Sequence, residues 1–414
     1  MRILNVTAQK PNSTGSGIFL SGLMTEFANK GHTQALVAGV YPEEETPVPD
    51  RVTFYPVYFE QGKLNFPIVG MSDEMPYPST RYRDMTPKME AAFKESFMKQ
   101  LDEAVRDLNP DLILCHHLYL LTAIVREHFP DRKVFGFCHN TDLRQMQKTD
   151  LEREYITGQI RRLDRIFALH AEQKRTIQDI YDVPKEKIQV IGMGYNSHIF
   201  KNESLRVDDG VTRIAFAGKI SVKKGVESLI RSLDYLEYEK ERIELLLAGG
   251  AGNKEEYEQI VELAKKCPYK VTFLGNLPQK ELAKVYNSCD IFALLSFSEG
   301  LPLTVIEALA CGDRVVMTDL PGVKEWIDTY APGADIRYVT LPLMRNVDEA
   351  VPATLPDFER RIGQRIWESV EAGKTKEVDV SGLSWTKIAG EVLKVLSLIC
   401  LLYTSDAADD LIGV

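Results

Sequence analysis

The sequence has little positive charge and lacks any long apolar run. Its 414 residues include 50 Lys and Arg against 60 Asp and Glu, which gives a formal net charge of -10. Proteins that bind nucleic acids present a basic face, so this balance argues against that class. No segment reaches the apolar length of a membrane span, and MRILNVTA enters a strand-like run without the apolar region of a signal peptide. We therefore expect a cytoplasmic protein, and peripheral contact with the inner face of a membrane is left open.

The chain also lacks paired cysteines. Its six cysteines are scattered, and none forms a C-x-x-C pair. Disulfide frameworks and zinc sites need paired spacing, so reduced thiols that fill gaps in the core are the preferred interpretation. No D-x-D element follows a predicted strand, and the sequence predicts neither a metal site nor a cofactor.

Both halves of the chain alternate β-rich runs with amphipathic helical stretches. This spacing predicts parallel sheets with right-handed crossovers. Because 414 residues are too many for one ordinary core, the predicted fold class is α/β with two Rossmann-like domains. The predicted strands are Ile3–Ala8, Ala35–Val40, Leu112–His116, Val134–Cys138, Arg165–Leu169, Ile188–Gly192, Arg213–Ala217, Glu244–Ala248, Val271–Leu274, Ile291–Leu295, Arg314–Met317 and Ile336–Thr340. The main predicted helices are Ile18–Lys30, Met89–Leu108, Val226–Leu236, Glu255–Lys266, Lys280–Cys289 and Leu303–Cys311.

The polar stretch Lys201–Gly210 is interpreted as a linker, which sets the predicted domains at residues 1–200 and 201–380. The pattern SWTKIAGEVLKVLSL predicts a terminal helix within 381–399 that packs back toward the N-terminal domain. From Cys400 the string CLLYTSDAADD breaks this pattern and resembles a translated sequencing-library adaptor. Residues 400–414 are therefore predicted to be foreign to the protein, with a genuine frayed terminus as the alternative.

Ligands of parallel sheets bind beyond the carboxyl ends of the strands, so the loops at those ends are the candidate sites. After the first strand, KPNSTGSGIF places Gly15 and Gly17 where backbone could approach a phosphate at a helix start. A tight turn is an equally good interpretation of either glycine. Leu20 replaces the third glycine of G-x-G-x-x-G, which argues against a nicotinamide-dependent dehydrogenase.

The loop AFAGKISVKKGVESLI follows a strand of the second half. Lys223 and Lys224 precede a helix start, and Gly218-Lys219 ends the strand before them. Cations at a helix start suit a pyrophosphate, which can accept from both ammonium groups. A solvated lysine cluster is the alternative, but the position at a strand end favours phosphate.

The stretch SEGLPLTVIEALACG contains two glutamates eight positions apart. Glu299 follows a strand, and Pro302 fits the first turn of the next helix. The free N–H groups near Leu303 and Thr304 could then receive a phosphate. Glu307 follows about one and a half turns later, so both carboxylates could accept hydrogen bonds from sugar hydroxyls.

In VFGFCHNTDLRQ, His139 ends a strand and Asp142 is placed to cap the following helix. A histidine facing a cleft can hydrogen-bond a sugar hydroxyl or support acid–base chemistry. A lone histidine is more often structural, and that interpretation is given to His116, His117, His128 and His170.

These motifs resemble those of the GT-B-fold glycosyltransferases of family 4, which are retaining and use nucleotide sugars. The resemblance spans residues 1–399 and implies parallel sheets of two domains facing a central cleft. It assigns the N-terminal domain to the acceptor and the C-terminal domain to the donor. It also implies metal-independent hexosyl transfer from a UDP- or GDP-sugar to a glycan, lipid-linked or small-molecule acceptor, as in bacterial envelope or exopolysaccharide synthesis.

The resemblance also implies residue roles. In the family, the second glutamate of the E-x7-E pair holds the ribose, the first approaches the transferred sugar, and a G-[RK]…KG element binds the diphosphate. The implied catalytic residues are His139, Glu299 and Lys224. The implied donor-binding residues are Gly17, Gly218, Lys219, Lys224, Gly275, Gly300, Leu301, Leu303, Thr304 and Glu307. Two departures are Lys219, where arginine is commoner, and GMGYN at 192–196, where N-G-V-D is usual.

Two alternative functions remain besides glycosyl transfer: a UDP-sugar 2-epimerase on the same fold, and a non-catalytic nucleotide-sugar-binding subunit. The E-x7-E motif followed by EALACG argues against the epimerase. The aromatic- and proline-rich segment Phe54–Arg83 is interpreted either as an acceptor loop or as an ordinary surface excursion.

Overall fold

The computed structural model of the chain describes residues 1–11, 13–43, 46, 48–373 and 375–409, with side chains described up to residue 399. The chain forms two compact units. Unit 1 comprises Met1–Gly194 and the chain from Ser384 onward, and unit 2 comprises Tyr195–Leu383. The change of unit therefore falls a few residues before the predicted linker.

Unit 1 is built on a parallel sheet with the strand order β3-β2-β1-β6-β7-β8-β9. Two short strands, β4 and β5, pair with each other apart from this sheet. The strands are β1 (Arg2–Thr7), β2 (Thr33–Val40), β3 (Val52–Tyr58), β4 (Val69–Gly70), β5 (Thr80–Arg81), β6 (Leu112–His116), β7 (Val134–Phe137), β8 (Arg165–Ala168) and β9 (Ile188–Val190). The helices before residue 194 are α1 (Gly15–Asn29), α2 (Pro87–Leu108), α3 (Leu120–His128), α4 (Thr141–Lys148), α5 (Arg153–Ile160) and α6 (Ala171–Tyr181).

Unit 2 is built on a second parallel sheet with the strand order β12-β11-β10-β13-β14-β15. Its strands are β10 (Thr212–Ala217), β11 (Ile243–Ala248), β12 (Lys270–Gly275), β13 (Ile291–Leu294), β14 (Arg314–Thr318) and β15 (Ile336–Val339). Its helices are α7 (Val226–Ser232), α8 (Lys254–Ala264), α9 (Gln279–Ser288), α10 (Leu303–Ala310), α11 (Val323–Tyr330) and α12 (Leu355–Glu371).

The predicted α/β class with two parallel sheets is confirmed. The central strands β6 and β13 are buried along their whole length, as expected for strands covered on both faces. The Phe54–Arg83 segment is not one surface excursion. Its first residues lie in β3, and Pro56 is accommodated there because β3 is the edge strand of its sheet. Ile68 and Tyr82 further along the segment are buried.

The last helix of the chain, α13 (Trp385–Asp409), belongs to unit 1 and contacts α1. Trp385 lies against Gly22 and Gly194, where an added Cβ would approach its indole atoms to 2.5 Å. The helix runs past residue 399, so the helical pattern does not break where the sequence suggested. The origin of residues 400–414 stays a prediction, and 410–414 lie outside the described residues.

Most cysteines of the described side chains fill the core. Cys115, Cys138, Cys289 and Cys311 are buried, and all four are free thiols together with the half-buried Cys267. Among the described helices, none combines the length and apolar character that crossing a membrane requires.

Candidate functional site

In each sheet there is one pair of neighbouring strands from which the chain builds toward opposite edges of the sheet. In unit 2 this pair is β10 and β13, and in unit 1 it is β1 and β6. The loops that leave such a pair of strands diverge and form a crevice, which is where open parallel sheets bind ligands. The predicted lysine loop follows β10 and the E-x7-E stretch follows β13, so both line the unit 2 crevice.

Glycines allow the strand ends of unit 2 to approach one another closely. The Gly218 N–H donates to the Ala248 carbonyl at 2.9 Å, and the Gly249 N–H donates to the Gly275 carbonyl at 2.8 Å. A Cβ on Gly249 would lie 1.7 Å from the Gly218 oxygen, so no other residue fits there. Gly275 has a positive φ of 69°, and this backbone conformation by itself favours glycine at that position.

The loop Gly249–Gly252 also lies at these strand ends and was not among the predicted site loops. An added Cβ on Gly252 would lie 1.8 Å from Lys219 Cε, so the Lys219 side chain lies across this loop. The signal was available, because three glycines in GGAG directly follow a predicted strand. Gly252 therefore gives Lys219 the space in which its ammonium group is placed.

Lys224 and Glu299 form a partly buried ion pair in the unit 2 crevice. Lys224 Nζ lies 2.6 Å from Glu299 Oε1, with side-chain exposures of 31% and 15%. The Phe297 N–H donates to the Lys223 carbonyl at 3.0 Å, which fixes the lysine loop against the end of β13. Gly225 is needed at this junction because its φ is 71° and a Cβ would lie 2.2 Å from the Leu295 oxygen. Two residues to which the sequence gave separate roles are thus in direct contact.

Helix α10 begins directly after this ion pair. Pro302 is the N-cap residue, one position before the predicted first turn, and among the described residues no side-chain hydrogen bond caps the helix start. The N–H groups at the start of a helix lack partners within the helix, and those of Leu303 and Thr304 are placed there. Gly300 and Leu301 form the turn that leads into the helix. The arrangement provides amide donors next to the Lys224 ammonium group.

Glu307 lies in the second turn of α10 and is 6% exposed. No described residue hydrogen-bonds or pairs with its carboxyl group, and burial raises the pKa of Glu307 to about 8. A buried carboxyl without a partner is costly to fold around. Such a group marks a position where a ligand with hydroxyl donors would supply the missing hydrogen bonds.

The glycine loop of unit 1 is organised by its own helix cap. Thr14 is the N-cap residue of α1, and its hydroxyl accepts from the Gly17 N–H at 3.2 Å. That amide is therefore already engaged. Gly15 has open space at its Cβ position, so a ligand that approached this helix start would meet Gly15 before Gly17.

His139 lies in a cluster of aromatic rings at the ends of β6 and β7. Its Nε2 lies 3.1 Å from Nδ1 of His116, and the two rings stack with centroids 5.3 Å apart. The His117 ring lies 4.8 Å from His139, and Phe19 of α1 meets it edge-on at 5.1 Å. Burial and the neighbouring histidines lower the pKa of His139 well below its ordinary value, so the ring is neutral at pH 7.

The histidines that the sequence treated as structural divide into two groups. His128 contacts Asp102 at 2.7 Å, and the His170 ring accepts from the Gln173 N–H at the start of α6, so both have local structural partners. His116 and His117 instead contact His139, and their structural interpretation stays a prediction. Their adjacency follows from β6 and β7 being neighbours in the sheet, which the sequence pattern did not show.

Asp142 also differs from its prediction. It lies in the first turn of α4 and does not cap it, because Asn140 is the N-cap residue. Its carboxylate accepts from the Leu118 N–H at 2.8 Å and from the His139 N–H at 3.3 Å. Asp142 thus fixes the loops around the histidine cluster through their backbone.

The predicted site residues fall in both units. Gly17 and His139 belong to unit 1, and the other predicted residues belong to unit 2. Among the described side chains, no group of three or more His, Cys, Asp or Glu is arranged to hold a metal ion.

Two family models match the chain in succession. Residues 14–198 match Glycosyltransferase Family 4, and residues 199–336 match Glycosyl transferases group 1. The chain belongs to the glycosyltransferases. The boundary between the two matches lies close to the boundary between the two units.

Curated glycosyltransferases match over shorter stretches. An uncharacterized glycosyltransferase of Methanocaldococcus jannaschii is 28% identical over 173 residues, which are 39% of this chain and 44% of that protein. A probable sucrose-phosphate synthase of Thermosipho melanesiensis is 36% identical over 159 residues, which are 36% of each chain. This glycosyltransferase thus spans less than half the length of these relatives.

Solved structures resemble the chain over nearly its whole length. Sucrose-phosphate synthase from Thermosynechococcus elongatus has a TM-score of 0.67 at 16% identity, with 98% of this chain and 99% of that chain covered. HepE of Anabaena in complex with UDP-glucose has a TM-score of 0.61 at 12% identity, with 96% and 99% covered. These similarities show the GT-B glycosyltransferase fold.

Proposed function

We propose that this glycosyltransferase moves a hexose-type sugar from a UDP- or GDP-sugar to a glycan, lipid-linked or small-molecule acceptor. The observation that carries the proposal is the contact between Lys224 and Glu299 beside the uncapped start of α10. This places a cation, free amide donors and a carboxylate at the switch point of one sheet. The UDP-glucose complex of the similarly folded HepE supports a nucleotide sugar as the donor.

The donor diphosphate meets Lys219, Lys224 and the amides at the start of α10 in this proposal. A diphosphate competes with Glu299 for the Lys224 ammonium group, because both are anions. Binding of the donor therefore releases the Glu299 carboxylate, which then accepts hydrogen bonds from hydroxyls of the transferred sugar. Glu307 accepts from the ribose hydroxyls, which removes the cost of its unpartnered burial.

Transfer requires stabilisation of the negative charge that builds on the leaving diphosphate. Lys224, Lys219 and the helix start supply positive charge and dipoles at that position, so we propose that turnover needs no divalent metal. We also propose retention of configuration, with attack on the face that the leaving group vacates. The departing diphosphate then accepts the proton of the acceptor hydroxyl.

A nucleotide-sugar panel tests the proposal in two steps. Thermal shift identifies the donor that raises the melting temperature of the purified protein, and proton NMR of that donor then follows its anomeric signal during hydrolysis or transfer. We expect the parent protein to release the sugar with its original anomeric configuration. Sugar release should be lost in Lys224→Ala and kept in Lys223→Ala. Binding without release would support the non-catalytic subunit, and a product epimerised at C2 would support the epimerase.

A further inference from the structure

The histidine cluster of unit 1 contains a hydrogen bond that determines which ring nitrogen of His139 is available to a ligand. Nδ1 of His116 and Nε2 of His139 lie 3.1 Å apart, and the planes of the two rings are 15° from parallel. One of the two nitrogens must donate and the other must accept. The direction depends on where each neutral ring carries its proton.

The surroundings of His116 decide the direction. His116 is 3% exposed, stacks on Phe137 with centroids 4.9 Å apart, and has no hydrogen-bond partner for its Nε2 among the described residues. A proton on Nε2 would be a buried N–H without an acceptor, and buried N–H groups are more rarely left unpaired than buried acceptors. The proton of His116 therefore lies on Nδ1, and Nδ1–H donates to Nε2 of His139.

The direction of this hydrogen bond fixes the tautomer of His139. Its Nε2 acts as the acceptor, so its own proton lies on Nδ1, which is the ring nitrogen left to contact a ligand. The carboxylate of Asp142 accepts from the backbone N–H groups of Leu118, His139 and Leu143 and makes no hydrogen bond to the His139 ring among the described contacts. His139 therefore lacks the carboxylate partner that would favour its protonated form.

We propose that His116 is a positioning residue that holds His139 as an Nδ1–H tautomer, so that His139 acts as a hydrogen-bond donor to an oxygen of the sugar substrate and not as a general base. The kinetic part of this inference rests on the proposed function. The tautomer part does not, because it concerns the protein without ligand. Burial lowers the pKa of His116 to about 3, which agrees with a neutral pair.

Two substitutions of His116 separate hydrogen bonding from packing. Asparagine can place an amide N–H near the position of Nδ1, whereas leucine fills similar space without a donor. If His116 matters through packing among Phe19 and Phe137, leucine is the better replacement, because the site is apolar. If it matters through its donor, asparagine is the better replacement. His128→Leu is the matched control, since His128 lies outside the cluster.

Nitrogen-15 labelling of the seven histidines allows the protonated nitrogen of each ring to be read from two-bond proton correlations at pH 7. We expect His139 as the Nδ1–H tautomer in the parent, in His116→Asn and in His128→Leu. In His116→Leu the Nδ1–H tautomer of His139 should no longer be the major form. An Nε2–H pattern for His139 in the parent protein would overturn the inference.

Kinetics supply the second readout. We expect kcat to fall about tenfold in His116→Leu with little change in donor KM, as for the loss of one hydrogen bond that acts in the transition state. In His116→Asn we expect kcat to lie close to that of the parent. Full turnover in His116→Leu, or lower turnover in His116→Asn than in His116→Leu, would contradict the positioning role. If the parent protein uses no nucleotide sugar, the proposed function fails, and the tautomer measurement alone decides this inference.

Discussion

Replacing Glu307 by glutamine should change how the stability of the protein depends on pH. Burial raises the pKa of this carboxyl from 4.5 to about 8. Between these values the folded protein binds a proton that the unfolded chain does not. The free energy of unfolding therefore carries no penalty from Glu307 below pH 4.5 and falls as the pH rises toward 8. Glutamine is neutral throughout and lacks this dependence.

The magnitude follows from the distance between the two pKa values. Each pH unit corresponds to about 1.4 kcal/mol, so the parent should lose roughly 3 to 4 kcal/mol relative to Glu307→Gln between pH 5 and pH 8.5. The buried amide of glutamine adds a cost of about 1–3 kcal/mol at every pH. This constant cost cancels when the two proteins are compared at both pH values.

Urea unfolding of the parent and Glu307→Gln at pH 5 and pH 8.5 measures the effect. Glu299→Gln is the matched control, because it makes the same change in the same motif at a carboxylate that has a lysine partner. We expect the difference between parent and Glu307→Gln to shift by several kcal/mol in favour of the variant at pH 8.5. An unchanged difference would show that Glu307 is solvated or has a partner, and would refute its assignment as an unpartnered buried carboxyl.

Four further outcomes are expected. Lys224→Ala should weaken binding of the bare nucleoside diphosphate about tenfold or more, because a charge-assisted hydrogen bond is worth about 1.5–3 kcal/mol. Calorimetric titration of the diphosphate measures this, with Lys223→Ala as the control. Equal affinity in the two variants would contradict the role of Lys224. Glu299→Gln should bind the diphosphate as well as the parent or more tightly, while its turnover falls; weaker diphosphate binding would show that Glu299 does not compete for Lys224. Turnover should persist in excess chelator, and its complete loss with recovery on adding manganese would exclude metal-independent transfer. Removal of residues 400–414 should leave melting temperature and donor affinity unchanged, whereas a clear loss of either would show that this segment contributes to the folded protein.

The sequence predicted the sheets well because their strands are short apolar runs between recognisable turns. LILCH and IFAL are short apolar runs of the length that is typical of buried strands, and both are buried along their whole length. The edge strand β3 was missed because Pro56 and the aromatic residues of VTFYPVY resemble a loop. An edge strand tolerates proline where a central strand does not, and edge position is a property of the sheet that the local sequence does not contain.

The candidate loops were also predictable, because the strand-end rule selects them without coordinates. The contacts within them were not. Lys224 and Glu299 are 75 positions apart, and His116 and His139 are 23 positions apart. Each pair meets because β10 neighbours β13 and β6 neighbours β7. Strand order decides these contacts, and the repeating pattern of strands and helices is compatible with more than one order.

The two glutamates of the E-x7-E motif are given opposite surroundings by one short segment. Glu299 precedes α10 and meets the ammonium group of Lys224. Glu307 lies on the buried face of that helix, and its carboxyl group has no partner among the described residues. The first carboxylate can leave its partner when a stronger anion arrives, and the second gains its first hydrogen bonds when hydroxyl donors arrive. A ligand that carries a diphosphate next to a sugar satisfies both conditions together. We therefore propose that the pair, and not either glutamate alone, is the feature of unit 2 that would select a nucleotide sugar.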